Sequence, residues 1–377
     1  MLFISFIVKN LRRRWFRSLL TLIGVAVAVG AVIALVGIAD NYRRSTIDRY
    51  AGRNVDLVVS KAGIAERLTS SLDENLAGDI AKIEGVRDVD PVLMDIVSIE
   101  MGGEFQPIAL AGWKPGGFMF EAAKLEDGRA IESSDTPEVM LGAIIARNMG
   151  KKAGDTLDIV DGETFNVVGV FQSFSLAENS MLVVSLAQLQ RLMDRGGQAT
   201  NFNVRTLTPG DEAQLESIRA AIEKLPGGLS AKKTQEFVAT DMQIRMIDAM
   251  AWLTSTIALV IGTVGVLNTM VMSVYERTQE IGILRAIGWR KPRVIRMILA
   301  ESLTLSVLGA VAGALAAAFF AVAISRLPAG GGVVTGDISP VVFAQGFLMA
   351  IVVGLIGGAY PAFRGAQLLP TEALRHD

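Results

Sequence analysis

The chain has 377 residues, of which 51% are hydrophobic, and 36 basic residues stand against 38 acidic ones. A mean hydropathy of +0.43 is too apolar for an ordinary soluble protein, and the apolar residues fall in four long blocks with the charge between them. There is no cysteine, which excludes disulfides, thiolate catalysis and cysteine-ligated metals, and the single histidine, His376, leaves no basis for a histidine triad or a zinc site.

Residues 1–17 carry Lys9, Arg12, Arg13, Arg14 and Arg17 without an acid. Phe3, Ile7, Leu11 and Trp15 recur at i, i+4, which predicts an amphipathic basic helix on the inner membrane surface rather than a disordered leader. Residues 18–39 are free of charge, and a helix needs about 20 residues to cross a bilayer core. The block is too long, and too far from the start, for a cleaved signal peptide with an apolar stretch of about 7–15 residues. It reads as the first transmembrane helix.

Residues 40–250 hold 22 basic and 32 acidic residues, a net charge of −10. That surface argues against nucleic acid and against tight adsorption to anionic lipid. The segment is long enough for a folded domain of its own and reads as mixed α/β. Strands are predicted over 54–60, 156–160, 164–171 and 181–185. Asp161-Gly162 between two of them is a strong hairpin signal. Ser185 with Gln188 resembles a capping box opening a helix over 186–193. A second helix begins near Asp211, with Leu215, Ile218, Ile222 and Leu225 on one face, and stops at Pro226-Gly227. No residue here has a catalytic pattern. Beyond Asp241, Met242, Met246, Ile247 and Met250 share a helical face, and no breaker separates them from the next apolar block. One helix is expected to run on, either as a stiff stalk that transmits displacement or as a juxtamembrane helix that only anchors the domain, which the periodicity does not distinguish; 42–50 shows a weaker version of the same pattern.

The second span is 251–274, the third 297–325 and the fourth 341–360, with an extracytoplasmic loop at 326–340 and a cytoplasmic tail at 361–377. Between spans two and three, residues 275–296 carry Arg277, Arg285, Arg290, Lys291, Arg293 and Arg296 against Glu276 and Glu280. The positive-inside rule puts this segment and the N-terminus in the cytoplasm, and 40–250 outside. Ile281, Leu284 and Ile287 give the segment an apolar stripe, with Gly282 and Gly288 permitting close approach and a stop, and Pro292 suits the first turn of the following helix. Such an amphipathic elbow fits docking to a cytoplasmic partner; burial in the lipid interface is the competing reading. Glu301, one turn into span three, is expected to reach the inner interface or to pair with a nearby arginine rather than to move ions. Gly309 with Gly313, and Gly354 with Gly358, form Gly-x3-Gly pairs for close helix packing.

The run ERTQEIGILRAIG resembles the hallmark of the MacB/FtsX/LolC superfamily of ABC permeases. The ending YPAFRGAQLLPTEALR is similar to that family's C-terminus, and EVMLGAIIARNMGKKAGDTLDIVDGETFNVVGVF resembles its periplasmic core domain. The resemblance implies a membrane α-helical fold of four transmembrane helices with an inserted mixed α/β extracytoplasmic domain of MacB periplasmic-core type. It implies a permease in a bacterial inner membrane, working as a homodimer or with a related permease. Its expected partners are a cytoplasmic ABC ATPase subunit, membrane lipid and, in a tripartite exporter, a membrane-fusion adaptor. Glu276, Arg277, Glu280, Ile281, Gly282, Leu284, Arg285 and Gly288 would then form the ATPase-coupling element. No Gly-x4-Gly-Lys-[Ser/Thr] loop occurs in the chain, so ATP and magnesium are expected on a separate polypeptide and no cofactor on this one. MacB itself carries a fused ATPase, so the chain stands nearer the stand-alone permeases. Two functions follow from the resemblance: export or extraction of a lipid, lipoprotein, peptide or drug by mechanotransmission, or FtsX-like activation of a cell-wall hydrolase. The large outer segment favours the first. An intramembrane enzyme lacks candidate catalytic residues.

Overall fold

A computed structural model of the chain describes residues 15–64, 67–101, 103–121, 123–132, 136–160, 162–173, 175–325 and 338–368. Phe3, Ile7, Leu11, the basic residues before Trp15, Asp161, the loop 326–337 and His376 lie outside the described residues. The main helices in chain order are α1 (Trp15–Ala51), α2 (Leu186–Leu192), α3 (Glu212–Glu223), α4 (Met242–Glu276), α5 (Thr278–Ala286), α6 (Lys291–Ser325) and α7 (Pro340–Gln367). Four of them, α1, α4, α6 and α7, are long and apolar enough to cross a membrane. The described chain divides into two compact units, one from 15–40, 248–324 and 338–368, the other from 41–247.

In the membrane unit, Val25, Val29, Ile33, Val266, Met270 and Leu305 belong to one buried apolar cluster. Lipid is as apolar as these side chains, so close contact rather than water exclusion must hold the helices together. Small residues supply it. A Cβ added at Gly309 would lie 2.7 Å from that of Val25, and one at Gly313 would strike the backbone of Ala26 and Gly30. On the other side of α6, Gly354 and Gly358 leave 2.9 Å and 2.7 Å for Ser306 Oγ and Ser302 Cβ. The Ser302 hydroxyl donates to the carbonyl of Gly354 at 2.6 Å, tying α6 to α7. The fourth apolar block was expected to end before Pro361. Instead α7 passes through that proline and continues to Gln367. Its i−4 neighbour is Gly357, which packs against Val266, and proline is tolerated in membrane helices whose neighbours hold the freed backbone.

The α/β unit is built on a ten-stranded sheet. Its strands are β1 (Leu57–Lys61), β3 (Val86–Met101), β4 (Glu104–Trp113), β5 (Lys124–Gly128), β6 (Glu138–Gly142), β7 (Thr156–Val160), β8 (Glu163–Gln172), β9 (Leu182–Ser185), β11 (Asn201–Thr206) and β12 (Leu229–Lys233); β2 (Leu72–Asp73) and β10 (Gln198–Ala199) pair separately. The order is β12-β1-β11-β3-β4-β9-β6-β8-β5, with β7 beside β8. β4 with β9 and β6 with β8 run parallel, while the long β3–β4 hairpin is antiparallel. Neighbouring residues of one strand enter opposite cores. Val139 and Leu141 join Leu110 and Val184 on one side, while Met140 joins Ala111 and Val183 on the other. Both faces of the central strands are therefore buried.

Local signals set the helix starts. Ser185 caps α2, its hydroxyl accepting from Gln188 N, and the Asp211 carboxylate caps α3, accepting from Ala213 N and Gln214 N. Leu215, Ile218 and Ile222 of α3 pack with Leu57, Val59 and Phe202 in a third core. In the hairpin of β7 and β8, Gly162 takes φ +87°, the left-handed conformation its turn requires.

Candidate functional site

The elbow between α4 and α6 is held by one arginine. Arg277 ends the run of α4 and precedes α5, and its backbone breaks the helix there with φ −111° and ψ 17°. The side chain turns inward. Its Nη1 donates to Glu301 Oε2 at 2.8 Å and its Nε to Glu280 Oε2 at 3.2 Å. Arg277 and Glu301 are both buried, with side chains 6% and 9% exposed, whereas Glu280 is half exposed. A carboxylate inside a membrane helix is costly unless a cation neutralises it, and Arg277 does so.

The apolar stripe of the elbow divides. Ile281 is only 1% exposed and packs with Val294, Met297 and Ile298, and Leu284 and Trp289 are partly buried against the same cluster. These residues fasten α5 to the membrane unit, Ile281 wholly turned inward and Leu284 partly so. The residues left outside are Ile283, 50% exposed, and Ile287, 70% exposed, one helical turn apart. Glu276, Gln279 and Glu280 are exposed on the same elbow. Arg285 Nη1 donates to the carbonyl of Trp289 at 3.0 Å, and the Arg293 guanidinium lies 4.9 Å from the Trp289 ring centre. Gly288, at φ +99°, closes the turn in a conformation costly for any other residue. Gly282 is buried. Beside the elbow, residues of α4, α5 and α7 line an open cavity of about 620 Å³, among them Val271, Tyr275, Gln279, Tyr360 and Arg364.

In the α/β unit a second buried ion pair secures the end of α1. Arg53 Nη1 donates to Glu178 Oε1 at 2.9 Å, its Nε donates to the carbonyl of Met119 at 3.0 Å, and its guanidinium stacks 5.1 Å from the Trp113 ring. Arg49 reaches the same carboxylate at 3.9 Å, and Ser173 Oγ also donates to Glu178. Arg205 Nε donates to the carbonyl of Arg53 at 2.7 Å. Sequence reasoning missed this cluster because Arg53 and Glu178 are 125 residues apart. Of the stalk residues, Met242, Met246 and Met250 are exposed and Ile247 is half-buried, the inward residue of this turn is Ile244, and one helix, α4, runs through them into the apolar block.

Asp90 accepts a hydrogen bond from Met119 N at 2.9 Å, and burial pushes its carboxyl above the usual carboxylate range. The folded chain therefore holds this proton more tightly than the unfolded chain does. The resulting stability is complete at acidic pH and is lost as pH rises through the raised folded value. Asp90→Asn keeps an acceptor for Met119 and is expected to raise the melting temperature more at neutral pH than at acidic pH. Thermal melts at the two pH values check this; an equal shift at both would contradict it.

A family model of the MacB-like periplasmic core domain matches residues 18–225, and one of the FtsX-like permease C-terminal region matches 252–370. The ABC transporter permease MJ1507 of Methanocaldococcus jannaschii is 26% identical, covering 99% of this chain and 97% of its own length. The permease YknZ of Bacillus subtilis is 25% identical, with 96% and 95% covered. The macrolide export ATP-binding/permease protein MacB of Bdellovibrio bacteriovorus is 26% identical over 96% of this chain, which spans only 59% of that protein.

Proposed function

Because the chain belongs to the family of ABC transporter permeases that join a MacB-like periplasmic core domain to an FtsX-like C-terminal region, we propose that it is a permease subunit driven by ATP hydrolysis in a separate subunit docked at the elbow. It sits in the inner membrane with both termini and the elbow in the cytoplasm and the α/β unit outside. Two permeases, identical or related, act together. Nucleotide-driven displacement of α5 shifts α4 and α6, and α1 and α4 carry the motion outward to expel or extract a hydrophobic or amphipathic substrate such as a lipid, lipoprotein, peptide or drug. A membrane-fusion adaptor would extend the path beyond the membrane. The name of the MacB relative, a macrolide exporter, supports amphipathic cargo.

One observation carries this reading. Within the elbow, Arg277 and Ile281 are locked into the membrane unit, while Ile283 and Ile287 stay exposed. A partner that grips the two exposed isoleucines must move the helices to which the buried residues are fastened. The double variant Ile283→Asp with Ile287→Asp is therefore expected to lower affinity for the ATPase subunit by about tenfold or more, since losing a hot-spot residue at the centre of an interface costs ~2 kcal/mol or more. Co-purification and stimulation of ATP hydrolysis measure the loss. Unchanged values for both would rule out the elbow as the docking element.

A further inference from the structure

The open cavity beside the elbow passes from apolar to cationic along the membrane normal. In a four-span chain the second and fourth helices, α4 and α7, run toward the same side of the membrane. Val271 therefore lies ~6 Å, about one turn, deeper than Tyr275, and Tyr360 lies as much deeper than Arg364. Val271 and Val274 line the deep part, and Tyr275 and Arg364 the part toward the elbow. Tyr275 and Tyr360 are 65% and 54% exposed, and such rings mark the border between headgroups and hydrocarbon. The volume of about 620 Å³ is that of a small-molecule site rather than a packing defect.

Arg364 is the cation of this cavity. It is exposed on α7, one turn beyond Tyr360. Its Nε donates to the Tyr360 hydroxyl at 3.3 Å, and it has no other hydrogen-bond or ion-pair partner among the described residues. A guanidinium carries five N–H donors, so both Nη groups are left for an acceptor. By contrast, Arg277 is spent on Glu280 and Glu301, and Arg285 on the carbonyl of Trp289. Glu276, the one acid in the lining, is engaged by another group. The cavity thus sets a planar cation and two phenol rings beside an apolar floor, and no carboxylate of the described residues pairs with that cation.

We propose that the cavity holds one anionic phospholipid of the cytoplasmic leaflet, its phosphodiester on Arg364 between the two tyrosines and an acyl chain over Val271 and Val274. Charge complementarity names the occupant. A guanidinium matches a phosphate with two parallel hydrogen bonds, and basic pockets between membrane helices on the cytoplasmic side take anionic headgroups. A zwitterionic lipid brings a second cation to a site that already holds one, whereas an anionic lipid neutralises it. Free phosphate leaves the apolar floor uncovered, and a soluble partner on the elbow does not reach a turn below the aromatic border. The lipid sits where α4, α5 and α7 meet, so it braces the joint that the elbow moves. The inference goes beyond the proposed function and rests on it only for placing the elbow at the inner leaflet.

Native mass spectrometry of the detergent-solubilised chain, offered equal amounts of phosphatidylglycerol and phosphatidylcholine, tests the site. The unaltered chain is expected to retain phosphatidylglycerol in preference. Arg364→Gln should lower that affinity about fivefold or more, the worth of one arginine at an anionic leaflet, and Arg364→Lys should restore part of it by returning the charge. Arg296→Gln, exposed on α6 and outside the lining, should leave it nearly unchanged. Equal retention of the two lipids, or an equal loss in Arg296→Gln, overturns the proposal. So does displacement by inorganic phosphate, which would assign the cavity to a free anion, or a rise in retention when residues 369–377 are removed, which would assign it to the chain's own tail. Co-purification of the ATPase subunit with Arg364→Gln is expected to persist. Its loss would make the cavity part of the docking element and sink the lipid site. Its persistence in a chain without lipid preference ends the lipid site and leaves the docking function standing.

Discussion

Arg277→Met is expected to destabilise the chain by about 3–5 kcal/mol, because removing one partner of a buried ion pair leaves the other charge uncompensated. The stranded charge is Glu301, 7% exposed and within the third membrane helix. Glu280, half exposed and three residues along, remains in water and loses little. Glu301→Gln should cost less than Arg277→Met, since the amide still accepts from the guanidinium while the arginine keeps Glu280. The double variant Arg277→Met with Glu301→Leu should recover most of the loss, because a packed apolar pair of similar volume is often as stable as a buried salt bridge. Thermal melts of the detergent-solubilised chain form the double-mutant cycle. Additive losses in the double variant would show that the two side chains are not coupled and that the elbow is held by packing alone.

Ile247→Pro should separate ATP turnover from motion of the outer unit. Ile247 lies inside α4, five residues from its first residue, Met242. Proline there removes one backbone hydrogen bond and drives its ring against the carbonyl of Gln243, costing ~3 kcal/mol or more and kinking the helix. The elbow, 30 or more residues further on, is untouched, so binding of the ATPase subunit should persist. A fluorophore on Phe105→Cys, 73% exposed in the β3–β4 hairpin, reports nucleotide-dependent change in the outer unit. That response should disappear in the proline variant and survive in Ile247→Ala, which keeps the helix. A full response in the proline variant would end the idea that α4 transmits displacement.

The four membrane helices were legible in the sequence because a bilayer imposes one requirement, an uncharged run of about 20 residues, that nothing else in the chain imitates. Caps and turns were legible for a similar reason. Ser185, Asp211 and Gly162 each solve a backbone problem within three residues. The strands at the centre of the sheet were not. β6 (EVMLG) is buried throughout, so it shows none of the alternation that marks a half-exposed strand. In the elbow, spacing revealed a stripe but not which part of it turned inward. Ile281 is buried because Val294, Met297 and Ile298 come to meet it from the following helix. Arg277 with Glu301, 24 residues apart, and Arg53 with Glu178 are pairs made by folding, and no local pattern announces them.

The most direct test places a single cysteine at Ile287, exposed on the elbow, in a chain that has no other. Four spans with an inward elbow predict that a membrane-impermeant maleimide leaves Ile287→Cys unlabelled in intact cells. It should label the site in opened membranes and be blocked there by prior binding of the ATPase subunit. Labelling in intact cells would put the elbow on the wrong side of the membrane and contradict the coupling function outright.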